Sequence, residues 1–468
     1  MSDKLTTRPG SASVIWPNLR VAWYVATVLT FVNAVSFIDR QILSLLVEPI
    51  KSDLNITDTQ ISLLQGFAFV VFYALMGLPI ARIADSRNRK KVIIIGITFW
   101  SFMTAACGFA RSFGGLFLTR MGVGVGEASL SPSAHSMMSD YFPPDKLAFP
   151  MGLFAAGVTT GMGVALIAGA AVIDAINKFG TIALPHIGVL EPWRLTFVIV
   201  GLLGVVAVLL VLTIKEPRRI GNYPVSDGES RGDLKEPVPL KMVFGYFRQH
   251  WKTYGTIFVG FTMTAAGAYG LASWTPTFYI RNYGMAASDA GYMIGTAIVV
   301  GGLFGSIFGG WLSDYLAHKG FEYSKIKVML VGSIMLLPPG ILAPLMPTAE
   351  LASVGLGVSF FAGSMAAGPA AAIAQSITPN QMRAQASAFY LFMTNLVGLG
   401  LGPTVVAVFT DYVFVDPIMI KYSLICAVLV FNPIAVMLIY LSIKPYAATL
   451  AELNQHTSIL NKGGDNED

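Results

Sequence analysis

Long apolar runs alternate with short polar breaks along almost the whole chain. A helix needs ~20 apolar residues to cross a hydrocarbon core of ~30 Å, and runs of that order recur twelve times. The first six predicted helices lie near Arg20–Val47, Thr59–Ala84, Val92–Ala110, Gly114–Phe142, Leu147–Asp174 and Trp193–Ile214. The second six lie near Trp251–Ile280, Ala290–Leu316, Lys327–Leu345, Leu351–Ile377, Ala384–Phe409 and Ile418–Ile443. The pattern predicts an all-α membrane protein with twelve transmembrane helices. It divides into an amino-terminal segment (1–19), a six-helix bundle (20–214), a polar linker (215–250), a second bundle (251–443) and a polar tail (444–468).

Composition supports lipid as the main solvent. Only 12% of the 468 residues are charged and 54% are hydrophobic. Soluble domains carry roughly 25% charged residues, so this chain cannot cover a globular surface of its size with polar groups. In lipid, backbone groups must pair internally, which leaves helices or a closed barrel. A barrel is written in alternating segments of about ten residues, and these runs do not alternate. Cys107 and Cys426 lie inside apolar runs and read as packing thiols. Five scattered histidines show no ligand spacing, so neither a metal nor another cofactor is implied.

The net charge of +5 does not point to nucleic acid, because it is concentrated in a few loops. Arg87, Arg89, Lys90 and Lys91 follow helix 2. Lys215, Arg218, Arg219, Arg231, Lys235 and Lys241 fill the linker, and Lys319, Lys325 and Lys327 follow helix 8. The opposite loops hold Lys51, Arg111, Lys178, Arg281 and Lys421 singly. By the positive-inside rule both termini and the linker are expected in the cytoplasm. Short tails and loops favour a bacterial inner membrane, and a monomer is expected.

The halves repeat. Ala81-Arg82-Ile83-Ala84-Asp85 after helix 2 returns as Gly310-Trp311-Leu312-Ser313-Asp314 after helix 8, a shift of 314 − 85 = 229. Pro132, Gly161, Gly163 and Asp174 return as Pro369, Gly398, Gly400 and Asp411, each shifted by 237. A duplicated six-helix unit places a binding site between the halves, near the midplane.

With these motifs the chain resembles the major facilitator superfamily over nearly its whole length. Ala81-x-x-Ala84-Asp85-x-x-Asn88-Arg89-Lys90-Lys91 is similar to that family's gate motif, with Ala81 and Asn88 where glycines are usual. Arg120-x-x-x-Gly124-x-Gly126 is similar to its helix 4 motif. The resemblance implies that Asp85, with Arg89 and Lys90, gates the cytoplasmic side, and that Asp314 is the counterpart in the second half. Asn33-x-x-x-Phe37-Ile38-Asp39-Arg40-Gln41 and Gly122-Val-Gly124-Val-Gly126-Glu127-Ala128 resemble the Spinster family. That resemblance implies export of sphingolipids or lysophospholipids.

Four ionisable residues lie within predicted helices of the first half: Asp39, Arg40, Arg120 and Glu127. Each costs roughly 2.5–3.5 kcal/mol to insert at the bilayer centre, so such residues face a cavity or a partner. Asp39 lies eleven residues before Ile50, and Glu127 thirteen after Gly114. At ~1.5 Å per residue the two sit at similar depth. Asp39 and Arg40 are ~100° apart around the helix, so one faces the cavity and the other a neighbouring helix. The expectation is a carboxyl switch: Glu127, with Asp39, takes protons, and Arg40 or Arg120 is thereby freed to bind an anionic headgroup. A permanent ion-pair network fixing helices 1 and 4 is the structural alternative.

Helices 7, 8, 10 and 11 carry no ionisable residue through their middles. They offer Trp274, Tyr390 and Asn395 among Gly, Ala, Met and Phe, and these three are the candidate substrate contacts of that half. A cavity charged on one side and apolar on the other suits an amphiphile, an anionic lipid moved by alternating access with protons. The competing readings are a carrier of a small organic anion or drug and, in another class, a membrane-embedded enzyme or sensor. The chain shows no zinc-protease pair or nucleophile elbow, and its linker and tail are short for an output domain. The expectation is a transporter, not an enzyme.

Overall fold

The computed structural model describes residues 16–143, 146, 148–178, 182–184, 188–218, 240–379 and 382–464. The first half begins with α1 (Leu19–Leu45) and a short connecting helix, α2 (Val47–Leu54). Its second arm joins α3 (Asp58–Ser62), a π-helical turn over Leu63–Phe67 and α4 (Ala68–Ser86). Then come α5 (Arg89–Cys107), α6 (Phe113–Glu127) with α7 (Leu130–Tyr141), α8 (Ala148–Asn177) and α9 (Pro192–Thr213). After α10 (Leu240–Gln249), the second half holds α11 (Trp251–Tyr283), α12 (Ala287–His318), α13 (Ser324–Leu342) and α14 (Ala349–Ser376). Its fifth arm is α15 (Arg383–Met393), a π-helical stretch (Thr394–Leu399) and α16 (Gly400–Val408), and α17 (Ile420–Gly464) is the sixth. Among the described residues ten helices are long and apolar enough to cross a membrane. The divided α6–α7 arm and α8 complete the predicted twelve.

Four details differ from the sequence expectation. The fourth helix, expected unbroken over 114–142, breaks at Ala128–Ser129. Pro132 explains this, because a proline ring clashes with the carbonyl four residues earlier, here that of Ala128. The expected polar tail is helical through Gly464, and the Thr449 and Thr253 hydroxyls meet at 2.9 Å. The expected linker ends in α10, whose Val243 and Phe247, four apart, bury one face; the Phe247 ring lies 4.5 Å from that of Tyr254. The connection after α8 contains a hairpin, β1 (Ile182–Leu184) antiparallel to β2 (Gly188–Leu190).

The halves are joined at one end. There a single apolar core takes Ile42, Leu45 and Ile61 from the first half and Trp274, Phe278 and Ile294 from the second. Toward the other end each half keeps its own core. One is built around Trp100, Met137 and Val211, the other around Phe258, Ile373 and Ile439. At the joined end α8 and α12 touch backbone to backbone: a Cβ on Gly163 would lie 2.5 Å from the Gly295 carbonyl oxygen, and one on Gly295 2.6 Å from that of Gly163. Glycine alone permits this approach.

Candidate functional site

Of the charged clusters between helices, one inside the first half and one across the joined end bear on transport. The first rests on the last turns of α6. A Cβ on Gly124 would stand 2.3 Å from the Phe69 carbonyl oxygen, so α6 lies directly on α4. Glu127 is the final residue of α6, immediately before the break, and its side chain is fully buried.

Arg40 of α1 meets it there. Its Nε donates to Glu127 Oε2 at 2.7 Å and its Nη2 lies 2.5 Å from the same oxygen. Three aromatic faces surround the guanidinium: Phe69 at 4.5 Å, Phe37 at 5.0 Å and Tyr73 at 5.3 Å. Such cation–π contacts hold a desolvated arginine by ~2 kcal/mol or more. Its side chain keeps 22% of its surface exposed, so the cation sits at the edge of the buried cluster. Tyr269 of α11 is within electrostatic reach of Arg40, bringing the second half to the site.

Arg120 is fully buried one layer deeper. Its Nη1 donates to the Asp39 carbonyl oxygen at 3.1 Å and its Nε to that of Leu64 at 3.4 Å. Asp39 turns away from Arg40, as their ~100° separation requires. Asp39 Oδ1, Arg120 Nη2 and Glu127 Oε1 are buried and make no hydrogen bond to a described residue. A cluster with unused capacity can rearrange, because its members are not all saturated.

The second set seals the joined end. Arg281 of α11 donates from Nη1 and Nη2 to the two carboxylate oxygens of Asp58 at 2.7 and 2.8 Å, and from Nε to Glu48 at 2.7 Å. Lys51 also donates to Asp58. Nearby, Asp411 Oδ2 accepts from the Thr59 amide at 2.6 Å and its hydroxyl at 2.7 Å. A carboxylate of the second half thus satisfies an open donor in the first turn of α3.

The structure brings Asp39, Arg40, Arg120 and Glu127 together and leaves the other candidates elsewhere. Trp274 is fully buried at the joined end, its Nε1 donating to the Pro403 carbonyl at 2.9 Å. Tyr390 packs among the Phe258 and Phe261 rings at 5.6 and 5.3 Å. Asn395 is half-buried in the π-helical stretch. Arg89 is buried and bonds Asp140 at 2.5 Å and Glu216 at 2.8 Å, while the Lys90 amide donates to Glu216. Asp314 is exposed, and the side chain of Asp85 lies outside the described residues. Sequence reasoning missed Phe69, Tyr73 and Tyr269, and the sealing role of Arg281, Asp58 and Asp411.

The family model of the Major Facilitator Superfamily matches residues 29–450. The chain belongs to the major facilitator superfamily. Among its relatives in the superfamily, an MFS-type efflux pump of Mycolicibacterium smegmatis is 30% identical over 84% of this chain and 85% of its own. Protein spinster of Drosophila melanogaster is 27% identical over 84% of this chain, which spans 62% of that longer protein. A solved bacterial homolog to the human lysosomal transporter Spinster, inward-facing and unoccupied, superposes with a TM-score of 0.79 at 28% identity. The match covers 92% of this chain and 99% of that one. These matches put the chain in the Spinster-like branch, as its helix 1 and helix 4 motifs imply, and the arms follow the superfamily's twelve-helix plan.

Proposed function

We propose that this transporter moves an anionic amphiphile, a lysophospholipid or sphingolipid, by alternating access, and that Glu127 carries the coupling proton. The observation that carries the proposal is the Arg40–Glu127 pair: a fully buried carboxylate bonded to an arginine that stays partly exposed. Protonating Glu127 removes the countercharge of Arg40. The guanidinium, held in place by Phe37, Phe69 and Tyr73, is then free to bind a phosphate bidentately. Deprotonation restores the pair and displaces the headgroup. Arg120 and Asp39 set the field beneath this switch. Tyr390, Asn395 and the aromatic rings of the second half offer the tail an apolar wall, and Trp274 supports that wall from the joined end.

In this proposal the end where each half keeps its own core faces the cytoplasm, because the basic loops lie there, and both termini are cytoplasmic in a bacterial inner membrane. Asp85, Arg89, Lys90 and Asp314 act when that end closes. The carrier works as a monomer. Helix α17 continues the second half past residue 443. A small organic anion is the second reading, supported by 24% identity over 82% of the chain to a hexuronate transporter of Bacillus subtilis.

The test is uptake of labelled lysophospholipid into proteoliposomes with and without a pH gradient. The gradient accelerates uptake by the natural chain. Glu127→Gln loses that acceleration and keeps substrate exchange. Gradient-driven uptake that survives Glu127→Gln refutes the proton role. Hexuronate movement without lysolipid movement establishes the second reading instead.

A further inference from the structure

A trough of about 1100 Å³ opens on the flank of the second half, between α12 and α14, with Met335 of α13 at its edge. It is distinct from the Arg40–Glu127 cluster, and no residue of the first half lines it. Its floor is made by a close helix crossing: a Cβ on Gly301 would stand 2.2 Å from the Gly357 carbonyl oxygen. Gly301 thus lets the two helices meet backbone to backbone beneath the trough. Val300 and Val354 form its walls, and Phe304 and Phe361 close its far end.

Its two ends differ in chemistry. Asp289, in the first turn of α12, and Glu350, in the first turn of α14, both line the mouth and are exposed. Asp174 adds a third carboxylate beside it, with Oδ2 3.4 Å from the Tyr292 hydroxyl. Among the described residues no lysine or arginine lines the trough. Acidic groups complement helix N-termini, which accounts for one carboxylate on each helix. It does not account for both opening onto one apolar channel.

Length fixes the class of occupant. From Glu350 to Phe361 is eleven residues and from Asp289 to Phe304 fifteen, or ~16 and ~22 Å of helix. Half of a hydrocarbon core of ~30 Å is ~15 Å, so the trough runs about one leaflet deep from an interfacial mouth. We propose that it is a binding site for a membrane lipid with a cationic amine or choline group in its head. The tail lies along Val300 and Val354 down to Phe304, and the ammonium group rests between Asp289 and Glu350. The site binds without a pH gradient and without Glu127, so its failure and that of the proposed coupling are separable.

The experiment places an environment-sensitive fluorophore at Ile307→Cys, exposed just past the far end of the trough, in a Cys426→Ala background, with Leu441→Cys on α17 as the control. The probes are lysophosphatidylcholine and lysophosphatidylglycerol, each carrying a nitroxide on the tail, titrated into proteoliposomes. At Ile307→Cys quenching saturates, and the choline lipid binds about threefold tighter or more, the scale of an exposed ion pair. Adding Asp289→Asn and Glu350→Gln, both conservative changes at exposed positions, abolishes that preference. At Leu441→Cys neither lipid saturates. The proposal is overturned if the Ile307→Cys curves match the control, if the glycerol lipid binds as well, or if the preference survives neutralisation.

Discussion

Replacing Arg281 with methionine should open the joined end. The guanidinium supplies both oxygens of Asp58 with a donor and reaches Glu48, and its side chain is 5% exposed against 0% for Asp58. Removing one partner of a buried pair costs ~3–5 kcal/mol, because the remaining charge stays desolvated. Lys51 still donates to Asp58, so the lower value, ~3 kcal/mol, applies. The contact joins the halves, and the loss therefore falls on the conformation in which this end is closed. At 1.4 kcal/mol per factor of ten, ~3 kcal/mol shifts the equilibrium about a hundredfold toward states open at this end. Spin labels at Ser52→Cys and Ala286→Cys, both exposed and on opposite halves, read the separation by double electron–electron resonance. The natural chain gives a short distance, Arg281→Met adds a long component, and Arg281→Lys falls between. An unchanged distribution in Arg281→Met refutes the reasoning, since the pair would then contribute nothing specific to closure.

Asp411→Asn weakens the bonds to the Thr59 amide and hydroxyl without changing shape, and the same label pair should show a smaller opening, on the order of tenfold. Arg89→Met removes the donor shared by Asp140 and Glu216, while Glu216 keeps the Lys90 amide, and should lower thermal stability in detergent by at most ~3 kcal/mol, read as a lower unfolding midpoint. Gly124→Val places a side chain against the Phe69 carbonyl and should abolish folded, monodisperse protein in size-exclusion chromatography. Under the proposed headgroup role of Arg40, Phe69→Leu removes its nearest ring and should weaken lysolipid affinity several-fold while leaving the proposed gradient coupling intact, measured by uptake at varied substrate.

Much of this was legible in the sequence because membrane helices are written locally. Twenty apolar residues announce a span, and a charged residue inside one marks a candidate site. Helical rise alone placed Asp39 and Glu127 at one depth, and ~100° between neighbours sent Asp39 and Arg40 in different directions. Sequence could not choose between Arg40 and Arg120 as the partner of Glu127, since both lie within reach along their helices. The break at Ala128 was readable from Pro132, had the carbonyl four residues earlier been considered. The seal was not readable: Asp58 and Arg281 are 223 residues apart, and each looks like an ordinary loop charge near a helix end. The same holds for Tyr269, one aromatic among many until packing turns it toward Arg40.

The duplication leaves a more specific mark at the joined end. A shift of 229 carries Thr59 to Ser288, and one of 237 carries Asp174 to Asp411, and each of these two carboxylates bonds a residue of the opposite half, Tyr292 and Thr59. The two seams nevertheless close by different forces. Between α3 and the arm of α16, Asp411 makes two short charge-assisted bonds to Thr59. Between α8 and α12, Asp174 accepts from the Tyr292 hydroxyl at 3.4 Å, while Gly163 and Gly295 bring the backbones into contact. Charge-assisted bonds are roughly twice as strong as neutral ones, whereas the glycine contact rests on close packing of two backbones with no charge to separate. A pivot suits the second seam and a latch the first. Under the alternating-access proposal, the expected motion hinges along α8 and α12 and releases at Asp411 and Arg281, and neutralising either should then open the same end without dissociating the halves.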